Sequence, residues 1–166
     1  MNRNDARRLA EQTMGEYGLI HDGWTFQFDR AKNRFGQCRY RTRTISLSGP
    51  LTDLNDEAEV NDTILHEIAH ALVGRGKGHG PEWRAMAVEV GARPERCFSA
   101  DDVEMPDHRW HGMCDVHGVV AKRHRLAASA RRFACGHCCR GTYDKQYQLT
   151  WVDTRTGATW AQAVAA

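Results

Sequence analysis

The sequence predicts an α+β fold: a domain of helices with a small sheet, followed by a small ribbon stapled by metal. Three observations predict it. Val60, Ile64, Ile68 and Leu72 recur every four residues, and Trp83, Met86, Ala87 and Val90 form a second helical stripe. Trp24-Thr25-Phe26-Gln27-Phe28 alternates at the period of a half-buried strand. Cys114 pairs with His117 at short spacing, and after seventeen intervening residues Cys135 pairs with Cys138. Two such knuckles joined by a loop can share one zinc ion.

In chain order, residues 4–17 read as a helix with Leu9 and Met14 on a weak apolar face, ended by Gly15 and Gly18. The strand at 24–28 places three aromatics on one face. Asp29 to Gly36 is a polar turn, and Cys38 to Leu47 reads as a second strand that Gly49-Pro50 breaks. On that strand Arg39, Arg41 and Arg43 would share a face, either a solvated sheet edge or a basic wall beside a cleft. Residues 54–73 form the next helix, capped by Asp53 or Asn55 and ended by Gly74. Residues 81–90 form another, with Pro81 in its first turn. Cys38 and Cys97 have no ligand partner at short spacing and are expected to be buried as apolar residues. Polar residues 100–112, with Pro106, read as a linker. The expected domains are therefore 1–106, a ribbon at 107–150 and a loosely ordered tail at 151–166.

The chemistry concentrates at His66-Glu67-Ile68-Ala69-His70. Histidines four apart on a helix share one face and can hold one metal ion, while Glu67 points to a neighbouring angle where it can hold a water. This is the HExxH signature of zinc peptidases. His79 follows a stretch containing Gly74, Gly76 and Gly78, which can turn the chain back, so His79 is the expected third ligand. Three protein ligands leave a position for water, the catalytic arrangement. A metzincin spacing would need glycine at Val73 and a ligand at Gly76, and a gluzincin reading would take Glu89; His79 is the better candidate. Glu67 is the expected general base, and Tyr40 is one possibility for an oxyanion stabiliser. The expected ribbon ligands are Cys114, His117, Cys135 and Cys138, a closed and structural set, with His137 and Cys139 as alternatives nearby.

His66-Glu67-Ile68-Ala69-His70 together with His79-Gly80-Pro81-Glu82-Trp83 resembles the SprT/Spartan-like zinc metalloprotease family. The resemblance extends to Trp24-Thr25-Phe26, Gly36-Gln37-Cys38, Ile45-Ser46-Leu47-Ser48 and the paired-cysteine element. Relatives usually have four cysteines in that element, and here His117 stands where the second would be. The resemblance implies a zincin-like metalloprotease domain followed by a zinc ribbon. It also implies a zinc-dependent endopeptidase whose substrates are DNA-bound or DNA-crosslinked proteins. A general zinc peptidase with a structural ribbon, or a nucleic-acid-binding protein on an inactive zincin scaffold, are the alternatives.

Composition sets the bounds. The chain has 166 residues, 41% hydrophobic, with a net charge of only +2. It has no apolar run of about 18 residues, so no membrane span is expected. Without an apolar secretion signal, six cysteines favour thiols and metal ligands, so a cytoplasmic monomer is expected. Residues 107–150 hold eight Lys/Arg against three Asp/Glu, a surplus of five. Arg123, Arg125, Arg131 and Arg132 lie near aromatics, which suits single-stranded or frayed DNA, with stacking on a ring such as Trp110 or Tyr143. Two zinc ions are expected, one catalytic and one structural.

Overall fold

A computed structural model describes residues 1–95, 103–139 and 141–161. The chain divides into two compact units, Met1–Pro106 and Asp107–Ala166.

In the first unit, α1 (Arg3–Glu16) starts where the Asn2 side chain accepts from the N–H groups of Asn4 and Asp5. Its buried face is Ala6, Ala10, Thr13 and Met14, so small residues allow close packing. Strands β1 (Thr25–Asp29), β2 (Gly36–Arg39) and β3 (Thr44–Ser48) make a sheet in the order β1-β3-β2. β3 is central, parallel to β1 and antiparallel to β2, and all five of its residues are buried.

Residues 38–47 are therefore not one strand. A 3-10 turn at Tyr40–Thr42 and a left-handed Arg43 (φ 45°) reverse the chain between β2 and β3. Arg43 is held there: its carbonyl accepts from Thr25 N–H at 2.8 Å and its guanidinium donates to Asp22 O at 2.6 Å. Arg39, Arg41 and Arg43 consequently share no strand face.

Gly49-Pro50 begins a short helix, α2 (Gly49–Leu54), capped by Ser48. Helix α3 (Glu57–Val73) is capped by Asp56, not by Asp53 or Asn55. Asp53 pairs with Arg3, and Asn55 is buried, donating to Leu51 O and Glu104 O. Gly74 ends α3 at φ 82°. α4 (Pro81–Val90) ends at a left-handed Gly91. Just beyond it, Arg93 donates to Asp62 and Glu59, tying the chain back to α3. Val60, Ile64 and Ile68 from α3 meet Trp83, Ala87, Ile45, Leu47 and Phe26 in one core. Each large apolar side chain so buried contributes about 1.5–3 kcal/mol.

In the second unit, β4 (Trp110–Cys114), β5 (Gly118–Arg123) and β6 (Thr150–Asp153) form an antiparallel sheet in the order β5-β4-β6. Trp110 to Gly112 thus belong to a strand, not to a linker; residues 96–102, with Cys97, lie outside the described residues. The tail expected from residue 151 is corrected too. Trp151 and Asp153 are buried in the sheet, Asp153 accepts from Arg109 at 2.8 Å, and Val152 bridges to Thr159. Tyr143 to Leu149 contains a 3-10 turn at Lys145–Tyr147. Arg131 and Arg132 lie in a 3-10 turn, Ala128–Arg132. No helix among the described residues is long and apolar enough to cross a membrane.

Candidate metal centres and the cleft

α3 sets His66 and His70 one turn apart, with ring centroids 5.0 Å from each other. Gly74, Gly76 and Gly78 all take positive φ (82°, 90° and 55°), a path few other residues follow. That path returns His79 to the helix, its Nε2 lying 3.1 Å from Nε2 of both His66 and His70. Tetrahedral zinc with ordinary Zn–N lengths needs donors ~3.3 Å apart, so the triad fits the ion. Burial, and then the neighbouring histidines, push His66 and His70 down to about 4. Both imidazoles are neutral at pH 7, with lone pairs available. Glu89 is exposed on α4, outside this cluster.

Glu67 is buried beside the triad, only 6% exposed. Burial pushes its carboxyl up to about 8, against a hydrogen bond donated by the Cys38 backbone N–H and the charge of Arg34. Gly36 lets the carboxylate lie directly on β2. Residues from β2, the 3-10 turn after it and α3, among them Gly36, Cys38, Tyr40, His66, Glu67 and His70, line a cleft of about 870 Å³. Tyr40 donates its hydroxyl to His70 O at 3.1 Å. Cys38 is half-buried on the cleft wall, its thiol pushed up to about 12 by burial and then by Glu67. The Gly36–Cys38 cradle for Glu67 was missed from the sequence. A glycine inside a strand was the available signal, since it often marks close backbone approach.

In the second unit Cys114 ends β4 and His117 lies in the turn to β5. Cys114, His117, Cys135 and Cys138 converge. Nδ1 of His117 lies 3.7, 3.6 and 3.4 Å from the sulfurs of Cys114, Cys135 and Cys138, and the Cys114 and Cys138 sulfurs are 3.8 Å apart. Tetrahedral zinc needs ~3.8 Å between sulfurs and slightly less from sulfur to nitrogen, so this set fits as well. Hydrogen bonding with the His117 ring, then from the N–H groups of Val116 and His117, pulls the Cys114 thiol down to about 6. Cys139 points instead to Asp144 O at 4.0 Å, and His137 is exposed with its ring 5.1 Å from that of His117.

An α+β fold with a histidine triad beside a buried glutamate, and a Cys/His cluster compatible with a zinc ribbon, defines a chain with two sites suited to metal. The SprT-like family model matches residues 7–103, more than half of the sequence, and the chain belongs to that family. It is 27% identical over 123 residues to Protein SprT of Proteus mirabilis (strain HI4320), covering 69% of this chain and 73% of the relative. It is 31% identical over 102 residues to Protein SprT of Salmonella arizonae and 32% identical over 102 residues to Protein SprT of Escherichia coli (strain K12 / DH10B). Each of these two matches covers 57% of this chain and 62% of the relative, less than two thirds of its length.

Proposed function

We propose that the chain is a zinc-dependent endopeptidase acting on DNA-bound or DNA-crosslinked proteins. The observation behind this reading is the convergence of His66, His70 and His79 beside a buried Glu67 at the wall of a cleft. A zinc ion held by the three imidazoles supplies Lewis acidity, acidifying water and polarising a carbonyl oxygen. Glu67 moves the proton. Burial gives its carboxylate the proton affinity that a general base working near neutral pH needs. It accepts a proton from the attacking water and returns it to the amine nitrogen as the C–N bond breaks. Cys38 N–H and Gly36 fix where that carboxylate sits.

The DNA part of the reading draws on the second unit's charge surplus. Arg123 lies 5.8 Å over the ring of Phe133, and Phe133 and Tyr143 are exposed. Trp110, one of the rings suggested for base stacking, is buried at 6% exposure and is unavailable. Cleavage of a DNA-bound protein, measured with and without single-stranded DNA, tests both parts. Glu67→Gln should lose roughly 10²–10⁴-fold in rate with zinc content and fold retained. Cleavage by this variant at the parent rate would remove the peptidase reading, and a parent rate on the DNA-bound protein that DNA leaves unchanged would remove the DNA part.

A further inference from the structure

Trp83 is fully buried, and its ring touches all three histidines of the triad. Its centroid lies 4.6 Å from that of His66, 5.2 Å from His70 and 4.6 Å from His79, and it is nearly parallel to His70 at 28°. It stands four residues after His79, in the first turn of α4, whose N-cap is Gly80, so the candidate ligand lies just ahead of the helix that carries the ring packed on it. Its Nε1–H has no acceptor among the described residues. Packing, and not a hydrogen bond, therefore fixes the indole plane. An indole is also wide enough to contact three imidazoles at once.

We infer that Trp83 is a positioning residue, resting on the reading of the triad as a metal site: its indole holds the three imidazoles in ligating orientation before an ion arrives. Groups that orient metal ligands without touching the metal commonly change affinity by roughly 10–100-fold when altered. Trp83 would do so through ring contact, where most such groups use hydrogen bonds.

The test is zinc affinity of the full chain by chelator competition, with His79→Ala separating the triad's share from the ribbon's. Trp83→Phe should weaken the triad roughly 10–100-fold and leave the ribbon's affinity unchanged. Met14→Ala, a fully buried change on α1, supplies the packing control. Equal affinity in Trp83→Phe and parent, or the same loss in Met14→Ala, overturns the inference while leaving the metal site in place. If His79→Ala removes no zinc from the parent, the metal-site reading falls, and this inference with it. Should Trp83→Phe fail to fold, the metal-free parent still decides by ¹⁵N correlation spectra. A sharp, slowly exchanging Trp83 indole N–H supports a pre-set ring, and a broad, rapidly exchanging one overturns it.

Discussion

Gly36 and Glu67 meet as bare backbone against carboxylate. A Cβ added at Gly36 would stand 2.5 Å from Oε1 and 2.9 Å from Cδ of Glu67. No Cβ tolerates that approach, so either the strand or the carboxylate must shift. With Cys38 N–H bound to the same carboxylate, β2 as well as α3 positions the proposed general base.

Gly36→Ala should therefore displace Glu67 and lower proteolysis by roughly 10²-fold, the scale of a misplacement of about 1 Å. The three histidines are untouched, so zinc content should match the parent. Peptidase rate and metal analysis on the same preparation check this, and an unchanged rate refutes the cradle.

Two metal ions per chain are expected, one for each donor set. His66→Ala should remove one ion and Cys135→Ser the other. Cys135 is fully buried in the ribbon core, so its loss should expose the second unit to limited proteolysis before the first. A stoichiometry that either substitution leaves unchanged would exclude that site.

Asp29 ties β1 to its surroundings. It accepts from Ala31 N–H at 2.8 Å, Arg34 at 2.7 Å and Ser46 Oγ at 2.9 Å. Burial alone would raise its carboxyl, but Ala31, Arg34 and Ser46 outweigh it and hold it below the usual range. A carboxylate whose pKa falls on folding stabilises fully above its unfolded value of about 3.9. That contribution is lost as pH falls through the lower folded value. Asp29→Asn should cost on the order of 1–3 kcal/mol at pH 7. Below pH ~3 the gap to the parent should shrink. Denaturant melts at both pH values measure it, and a gap constant with pH would exclude the charge as the cause.

Reversing Arg123, Arg125, Arg131 and Arg132 to glutamate should abolish DNA binding and its salt dependence together. Phosphate contacts release counterions, so parent binding should weaken steeply with added salt. Peptide cleavage without DNA should persist, with zinc content intact. A variant that keeps the parent's affinity and salt slope would move the DNA-binding face elsewhere.

Much of this was legible in the linear chain because it depends on short-range spacing. The four-residue interval of His66 and His70 is a property of any helix, and so is the stripe Val60-Ile64-Ile68. Gly74 as a helix end, Pro81 in a first turn and the two metal knuckles are equally local signals. Errors arose where one residue could satisfy several partners. Asp53, Asn55 and Asp56 are all good caps, and tertiary pairing with Arg3 and Glu104 left Asp56 for α3. Cys38 to Leu47 has strand composition throughout, yet Arg43 is held left-handed by Thr25 and Asp22, which are distant in sequence.

By itself, then, the sequence determined the helix that carries the HExxH residues, the glycine path to His79 and the two short-spaced knuckles that supply the candidate ribbon donors, since each follows from backbone periodicity or turn chemistry within a few residues. Only the tertiary structure decided the rest. It put Gly36 and Cys38 under Glu67, put Trp83 against three imidazoles, buried Trp110, and drew Thr150–Asp153 into the ribbon sheet. Most of those contacts join residues distant in sequence, and burial, which no local pattern specifies, gives Glu67 its raised proton affinity and His66 and His70 their neutral lone pairs.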